Sequence, residues 1–354
     1  MPLTKPFDLA VAARLDEYWA WFTPWHRRLW NVGTVAAIRE ILEASESLFP
    51  KALKSVQAEV LSLVRSDQAV GDDAARDSLK RLLLGKIVYR RFAWHQLNGL
   101  LANIDADYLK RWSGLMRTGK TPGAELIARS VAGHLLQGGF SPTYLHRWLR
   151  YQVMHGTTSI SMADVVEEAD GLTKLPLKTY RVVIPVVSAP DIGKMPSADW
   201  FTATQILSLI ASIQGSKPEL RLNGGFVLSV RAKDPFVAVE QARELIDRWD
   251  ARAELATRDR IIRTEKAWVE GYAEPIDFVP LKREVKIGVL SRQGMIYAHW
   301  DDEEAKRIDD ALQLVQPMEG GLRSAAISGG WAAIESLLTE DGEPEHLAAD
   351  RCRQ

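Results

Sequence analysis

Nine consecutive residues, Thr179-Tyr180-Arg181-Val182-Val183-Ile184-Pro185-Val186-Val187, divide this chain into two textures. β-Branched side chains crowd the preceding turn of a helix and pack well on a pleated surface, so the run reads as a strand. Before it, apolar residues recur at three- and four-residue spacings punctuated by Pro and Gly, the pattern of helices. After it, strand-like and helical runs alternate. The fold class that fits is α+β: a mainly helical N-terminal domain over 1–172, a central α+β sandwich over 173–300, and a helical segment over 301–354 that starts a C-terminal bundle. A ferredoxin-like unit is one arrangement the central part permits.

Within the helical part, the apolar spacing predicts helices over 8–22, 34–48, 51–65, 74–101 and 107–116. Four tryptophans, Trp19, Trp21, Trp25 and Trp30, lie close together and read as core or a docking face before they read as base-stacking platforms. A helical hairpin comes next. One helix spans 123–137, Gly138-Gly139-Phe140-Ser141 turns the chain, Ser141 caps, and Pro142 takes the first position of the next helix. Past the first strand, a helix is expected over 202–213, a turn at Asn223-Gly224-Gly225, a strand over 226–231 and a helix from Pro235 to about Ala253 capped by Asp234. Strands are expected at 261–269, 284–290 and 295–300, the last two joined by a hairpin turn at Ser291–Gly294, and then a helix over 301–316 opened by four acids.

Charge decides what such a chain can meet. The net charge of −1 hides an uneven spread: Arg76–Arg150 carries 13 Lys/Arg against 4 Asp/Glu, and Asp301 to the end carries 5 against 13. A basic segment suits phosphate, although most cationic runs are solvated faces. The single cysteine, Cys352, allows no disulfide framework within the chain and no Cys-rich zinc site, so a reducing cytoplasm is the expected compartment. The N-terminus has no uninterrupted apolar core of the secretory kind, and no apolar run is long enough for a bilayer, so no membrane is expected. No histidine or cysteine spacing reads as a metal site, and no cofactor is expected.

Three motifs need weighing. Gly114-Leu115-Met116-Arg117-Thr118-Gly119-Lys120-Thr121 fits the P-loop pattern letter by letter. The residues before it read as helix where a phosphate loop needs a strand, and Pro122 disturbs the first turn of the helix that a phosphate loop must open, so it reads as a decoy for an NTPase. The stretch 124–155 is similar to the second half of AraC-type helix-turn-helix units, in which His146, Arg147 and Arg150 would face nucleic acid. That gives one reading of the chain as a non-enzymatic DNA-binding regulator or interaction scaffold. The spacing Arg-x4-His occurs at Arg90…His95, Arg129…His134 and Arg150…His155. Side chains five apart on a helix point about 140° apart, so such a pair converges only at a helix end or across two chains. Arg150 and His155, at the end of a basic helix, are the catalytic candidates. Arg90, Arg91, His146, Arg147 and Arg150 are the nucleic-acid-binding candidates.

The far end of the chain carries the most specific lead. Arg323–Leu338, with Trp-Ala-Ala-Ile-Glu-Ser-Leu-Leu at its centre, reads as a buried helix rich in small residues and resembles the opening helix of the HEPN domains of bacterial Apea-like proteins. The resemblance covers about residues 320–354 and implies a helical bundle, RNase chemistry by an Arg-x4-6-His motif on a later helix, and a place in phage defence or toxin systems. In that chemistry the Arg stabilises the phosphate in the transition state and the His moves a proton. The chain stops inside what reads as the second helix, Glu345–Gln354, so the domain is expected to be incomplete and inactive alone, or completed by another subunit or a homodimer. The function this implies is a defence- or toxin-type protein related to HEPN RNases that senses nucleic acid, RNA rather than DNA.

Overall fold

The computed structural model describes residues 5–20, 33–47, 50–119, 122–155, 161–189, 199–216, 218–278, 302–315 and 323–338. The chain divides into two compact units, Met1–Pro280 and Leu281–Gln354. Trp21, Trp25, Trp30, Lys120, Thr121, the expected strands at 284–290 and 295–300 with their turn, and the expected helix after residue 344 lie outside the described residues.

Among the described residues the first unit opens with eight helices: α1 Pro6–Trp19, α2 Thr34–Ser47, α3 Pro50–Ser66, α4 Asp73–Leu84, α5 Phe92–Thr118, α6 Ala124–Gln137, α7 Pro142–His155 and α8 Met162–Lys174. Local chemistry starts several of them. Asp72 accepts from the Ala75 amide ahead of α4, and Ser161 with Asp164 forms a capping box on α8. One hydrophobic core runs through all eight, with Trp19, Tyr108 and Trp112 among its largest fully buried side chains. α5, about 40 Å long by its residue count, packs against α2, α4 and α8.

The expected helices over 74–101 and 107–116 are partitioned differently. Gly85 ends α4, its amide bonding the Leu82 carbonyl, and residues 85–91 leave the helix altogether. α5 then runs without a break through Asp105 and Asp107, because Leu97, Leu101, Ile104, Tyr108 and Trp112 keep one continuous buried stripe at three- and four-residue steps. Asp105 lies off that stripe and pairs with Arg39 at 2.9 Å.

The sheet comes after the helices: β1 Lys178–Ser188, β2 Trp200–Thr202, α9 Ala203–Gln214, β3 Gly224–Ala232, α10 Pro235–Thr257, β4 Ile262–Arg263, β5 Lys266–Val269 and β6 Tyr272–Asp277. The order is β2-β3-β1-β5-β6, with β4 also paired to β1 and every pairing antiparallel. Alternation along the strands feeds two cores. Val182, Ile184, Val186, Phe226, Leu228 and Val230 meet α10, while Val183, Val227 and Trp268 meet Ile206 and Ile210 of α9. The sandwich therefore has three layers, a helix on each face of the sheet. Gly224 and Gly225, expected as a turn, are instead the first rungs of β3, opposite Val186 and Pro185. A Cβ on Gly225 would stand 2.6 Å from the Ile184 carbonyl oxygen, and one on Gly224 would run into the Trp200 ring. Close approach of neighbouring strands, not chain reversal, requires these glycines.

One carboxylate joins the helices to the sheet. Asp234 is fully buried. Its Oδ1 accepts from the amides of Phe236 (2.8 Å) and Val237 (3.0 Å), capping α10. The same group accepts from the Ser141 amide (2.7 Å) and hydroxyl (3.0 Å), and the Ser141 hydroxyl accepts from the Tyr144 amide (3.1 Å) in the first turn of α7. Beside it the Lys233 ammonium donates to the Thr173 carbonyl at 3.0 Å, and Arg147 of α7 pairs with Glu274 of β6 at 2.7 Å. Burial pushes the Asp234 carboxyl above its ordinary pKa, against the four donors that favour its charge.

The second unit contains, among the described residues, α11 Asp302–Val315 and α12 Arg323–Leu338, packed antiparallel. The Arg307 guanidinium donates to the Ser336 and Leu337 carbonyls, and a Cβ on Gly329 would stand 2.5 Å from the Leu314 carbonyl oxygen. α12 is not the buried helix its composition predicts. Ala333 is buried, but Ile327, Trp331, Ile334 and Leu337 are exposed, because small residues supply the contact with α11 and leave the large ones outside.

Removing the shared acceptor tests the junction. Asp234→Ala is expected to lower unfolding stability by about 3 kcal/mol, since four donors lose one buried charged partner. Ser141→Ala alone should cost about 1 kcal/mol. The double variant should cost less than the sum, which denaturant melts of the four proteins would show.

Candidate nucleic-acid interface

The basic segment Arg76–Arg150 is largely neutralised from within. Arg76 pairs with Asp73 at 2.6 Å and Lys80 with Asp77 at 3.1 Å. Arg117 holds Asp164 (2.7 Å) and Glu167. Arg129 bonds Glu125 at 3.0 Å and the Tyr18 hydroxyl at 3.1 Å, and Arg111 donates to the Val70 carbonyl at 2.8 Å. Of the described cations of this segment that form no ion pair, Arg81 and Arg111 bond carbonyls, which leaves the exposed Lys86, Arg90, Arg91 and Lys110. Three of these four sit in one place, the link from α4 to α5.

The link is built by a break in helical period. After Gly85 the chain extends, Ile87 tucks into the core, and the Arg91 amide bonds the Val88 carbonyl at 3.1 Å to close a tight turn. Arg90 takes the left-handed conformation in that turn, φ 55°, a state that costs a residue with a Cβ about 1–2 kcal/mol. Its guanidinium lies over the Tyr89 ring, 5.0 Å from the centroid. Tyr89 meets Trp94 edge-on at 5.6 Å, Trp94 meets His95 edge-on at 5.1 Å, and the Trp94 indole N–H donates to the Leu42 carbonyl of α2 at 3.1 Å. The aromatic chain ties the turn to α2. Outside it stand Leu84, Val88 and Phe92, with Phe92 exposed to 76%. Lys80–His95 contains five Lys or Arg and no acid, and the first turn of α5 carries no acid either. A corner braced by these contacts, with free cations and exposed apolar side chains, can bind a polyanion.

The other expected contacts are spent inside the fold. His146 Nε2 lies 3.0 Å from Asp16 Oδ1, out of line for a hydrogen bond, and Arg150 Nε lies 3.2 Å from the same oxygen of α1. Arg147 pairs with Glu274, bonds the Tyr272 hydroxyl and stacks on Phe236 at 5.2 Å. The face of α7 that a helix-turn-helix would present is thus packed against α1 and β6. Burial lowers the pKa of His146, with Asp16 opposing.

The Arg129…His134 pair does not converge. Arg129 points out to α1, while His134 is buried against Tyr108, ring centroids 4.8 Å apart, with Asp105 Oδ1 3.9 Å from Nε2. Next to them Asp67 is buried and accepts from Thr34 (2.6 Å), the Ala69 amide (2.9 Å) and the Tyr108 hydroxyl. Burial pushes Asp67 and, far more, Tyr108 above their ordinary pKa values. This cluster ties α2, the 3-10 turn Gln68–Val70 and α5 together, and it is closed to substrate. The His155 side chain lies outside the described residues. The P-loop pattern falls on the helical end of α5, Gly114–Thr118, with Gly119 as a left-handed cap. Among the described residues no His/Cys/Asp/Glu group could hold a metal, and no helix is long and apolar enough to cross a membrane. A cavity of about 360 Å³ on the α9 side of the sheet has its Arg181 already paired with Glu270 at 3.4 Å.

Arg90 and Arg91 are legible as candidates in the sequence, but Phe92 is not, because its exposure depends on where α4 ends; the signal was Gly85 inside a run otherwise helical. Comparison with family models, curated proteins and solved structures found no match.

This geometry sets three expectations. Arg90→Gly relieves the left-handed backbone and is expected to leave stability unchanged or up to about 1 kcal/mol higher, as read by denaturant melts. His134 is held neutral by burial, its pKa below 6.5. The unfolded chain then binds the proton more readily than the fold, so stability is lost as pH falls below 6.5 and is regained above it. Urea midpoints from about pH 7.5 down to about pH 5 should show this slope in the natural chain and a flatter one in His134→Gln. Asp164, held at about 2 by Ser161 and Arg117, contributes in a separate window, losing its effect as pH falls from 3.8 toward about 2.

Proposed function

We propose that this protein binds nucleic acid, RNA rather than DNA, at the corner between α4 and α5. The observation that carries the reading is a cluster of three unpaired cations, Lys86, Arg90 and Arg91, in a basic segment most of whose other described cations are held internally, set beside exposed Phe92. Cations already held by carboxylates gain little from a phosphate, because the incoming charge must displace a partner of the same sign. Free ones release counterions from the polyanion. The wider reading is a defence- or toxin-type protein related to HEPN RNases, in which this corner senses RNA. Its support is the resemblance carried by Arg323–Leu338. The reading assigns binding, not cleavage, to the residues named.

A salt series on a labelled RNA tests it. Each phosphate contact on a single strand contributes about 0.7 to the slope of log affinity against log salt, so Arg90→Ala with Arg91→Ala should lower the slope by about 1.4 and weaken binding at low salt. Arg147→Ala with Arg150→Ala should leave the slope unchanged. A slope that responds to the second pair and not to the first would move the interface to α7 and sink this reading.

A further inference from the structure

We infer that the ligand of this corner is unpaired RNA, held by a base stacked on Phe92 and by phosphates on Arg90 and Arg91; the inference rests on the nucleic-acid reading above. Duplex nucleic acid shows a protein its phosphates and the edges of its bases, and the bases' π-faces stay inside the stack. Cations alone would serve such a ligand. Here the cations adjoin the most exposed aromatic side chain among the described residues, Phe92, at the first position of α5 and next in the chain to Arg91. A splayed base covers an aromatic face that a duplex leaves in water. The rest of the corner is arranged for that use. Tyr89 and Trp94 meet edge-to-face and Trp94 is tied to the Leu42 carbonyl, so the backbone turn that presents Phe92 is braced before the strand arrives. Leu84 and Val88 extend the apolar surface beside it, exposed like Phe92. The left-handed turn at Arg90 sets its guanidinium over Tyr89, leaving an edge to meet phosphate while the face is already stacked. Sequence preference should be slight, because every base has a π-face and no side chain of the corner is committed to reading base edges.

The test compares oligouridine of about twelve nucleotides with an RNA duplex of equal length, by fluorescence anisotropy at about 50 mM salt. The single strand should bind at least about tenfold tighter. Phe92→Ala should weaken single-strand binding about tenfold without changing the salt slope, and Phe92→Trp should retain or improve it. Because Phe92 is exposed, unchanged melting temperatures are expected for both variants. Equal affinity for duplex and single strand, with Phe92→Ala silent, overturns the inference and leaves nucleic-acid binding standing. Full affinity in Phe92→Leu also overturns it, since that marks apolar packing without stacking. No binding of either RNA at low salt defeats the underlying reading itself.

Discussion

A single buried carboxylate, Asp234, lets the two halves of the first unit exist as one body. It is the cap of α10 and, through Ser141, part of the cap of α7. The two caps are joined, the Ser141 amide and hydroxyl donating to the carboxylate that caps α10. A carboxylate without such donors would be expelled from a fully buried site or neutralised there; with four of them it becomes a point where two first turns are defined at once. Lys233 and Arg147 then clamp the seam on either side. The compact unit that runs to Pro280 takes in both the eight helices and the sheet.

The same economy of charge explains what is left over. Eight of the twelve described cations of the basic segment are answered by a carboxylate or a carbonyl, some from far along the chain, such as Arg150 by Asp16 and Arg147 by Glu274. Charge pairing of this kind adds little stability at an exposed surface, but it silences those positions toward outside anions. The link from α4 to α5 is where the pairing stops. It is also where helical period stops and where the backbone accepts a left-handed arginine. Local irregularity and free charge coincide there, and positions that keep an unfavourable backbone state are drawn disproportionately to function.

Much of this was legible in the residues, and what was not had specific causes. The Gly138–Pro142 turn, the strand at Thr179, the Asp234 cap and the helix opened by Asp302 all announce themselves through local chemistry, which acts over a few positions. The break at Gly85 did not, because Leu79, Leu83 and Ile87 continue a helical spacing across it while all three are buried. Gly224–Gly225 resembled a turn because sequence does not reveal that Trp200 will lie across it. Of the five residues first expected to meet nucleic acid, Arg90 and Arg91 keep free charge; His146, Arg147 and Arg150 meet partners more than a hundred positions away, which no local pattern could show.

The antiparallel pair α11 and α12 touch through Gly329, where the Leu314 carbonyl fits only because no side chain stands in its way, and Arg307 grips the last carbonyls of α12. Shifting one helix by a turn would bring a residue with a Cβ under that carbonyl and pull the guanidinium off its partners. The pair consequently has one permitted alignment, set by an absence in the middle and a hook at the end, and any force along the helix axes meets a stop instead of a slope.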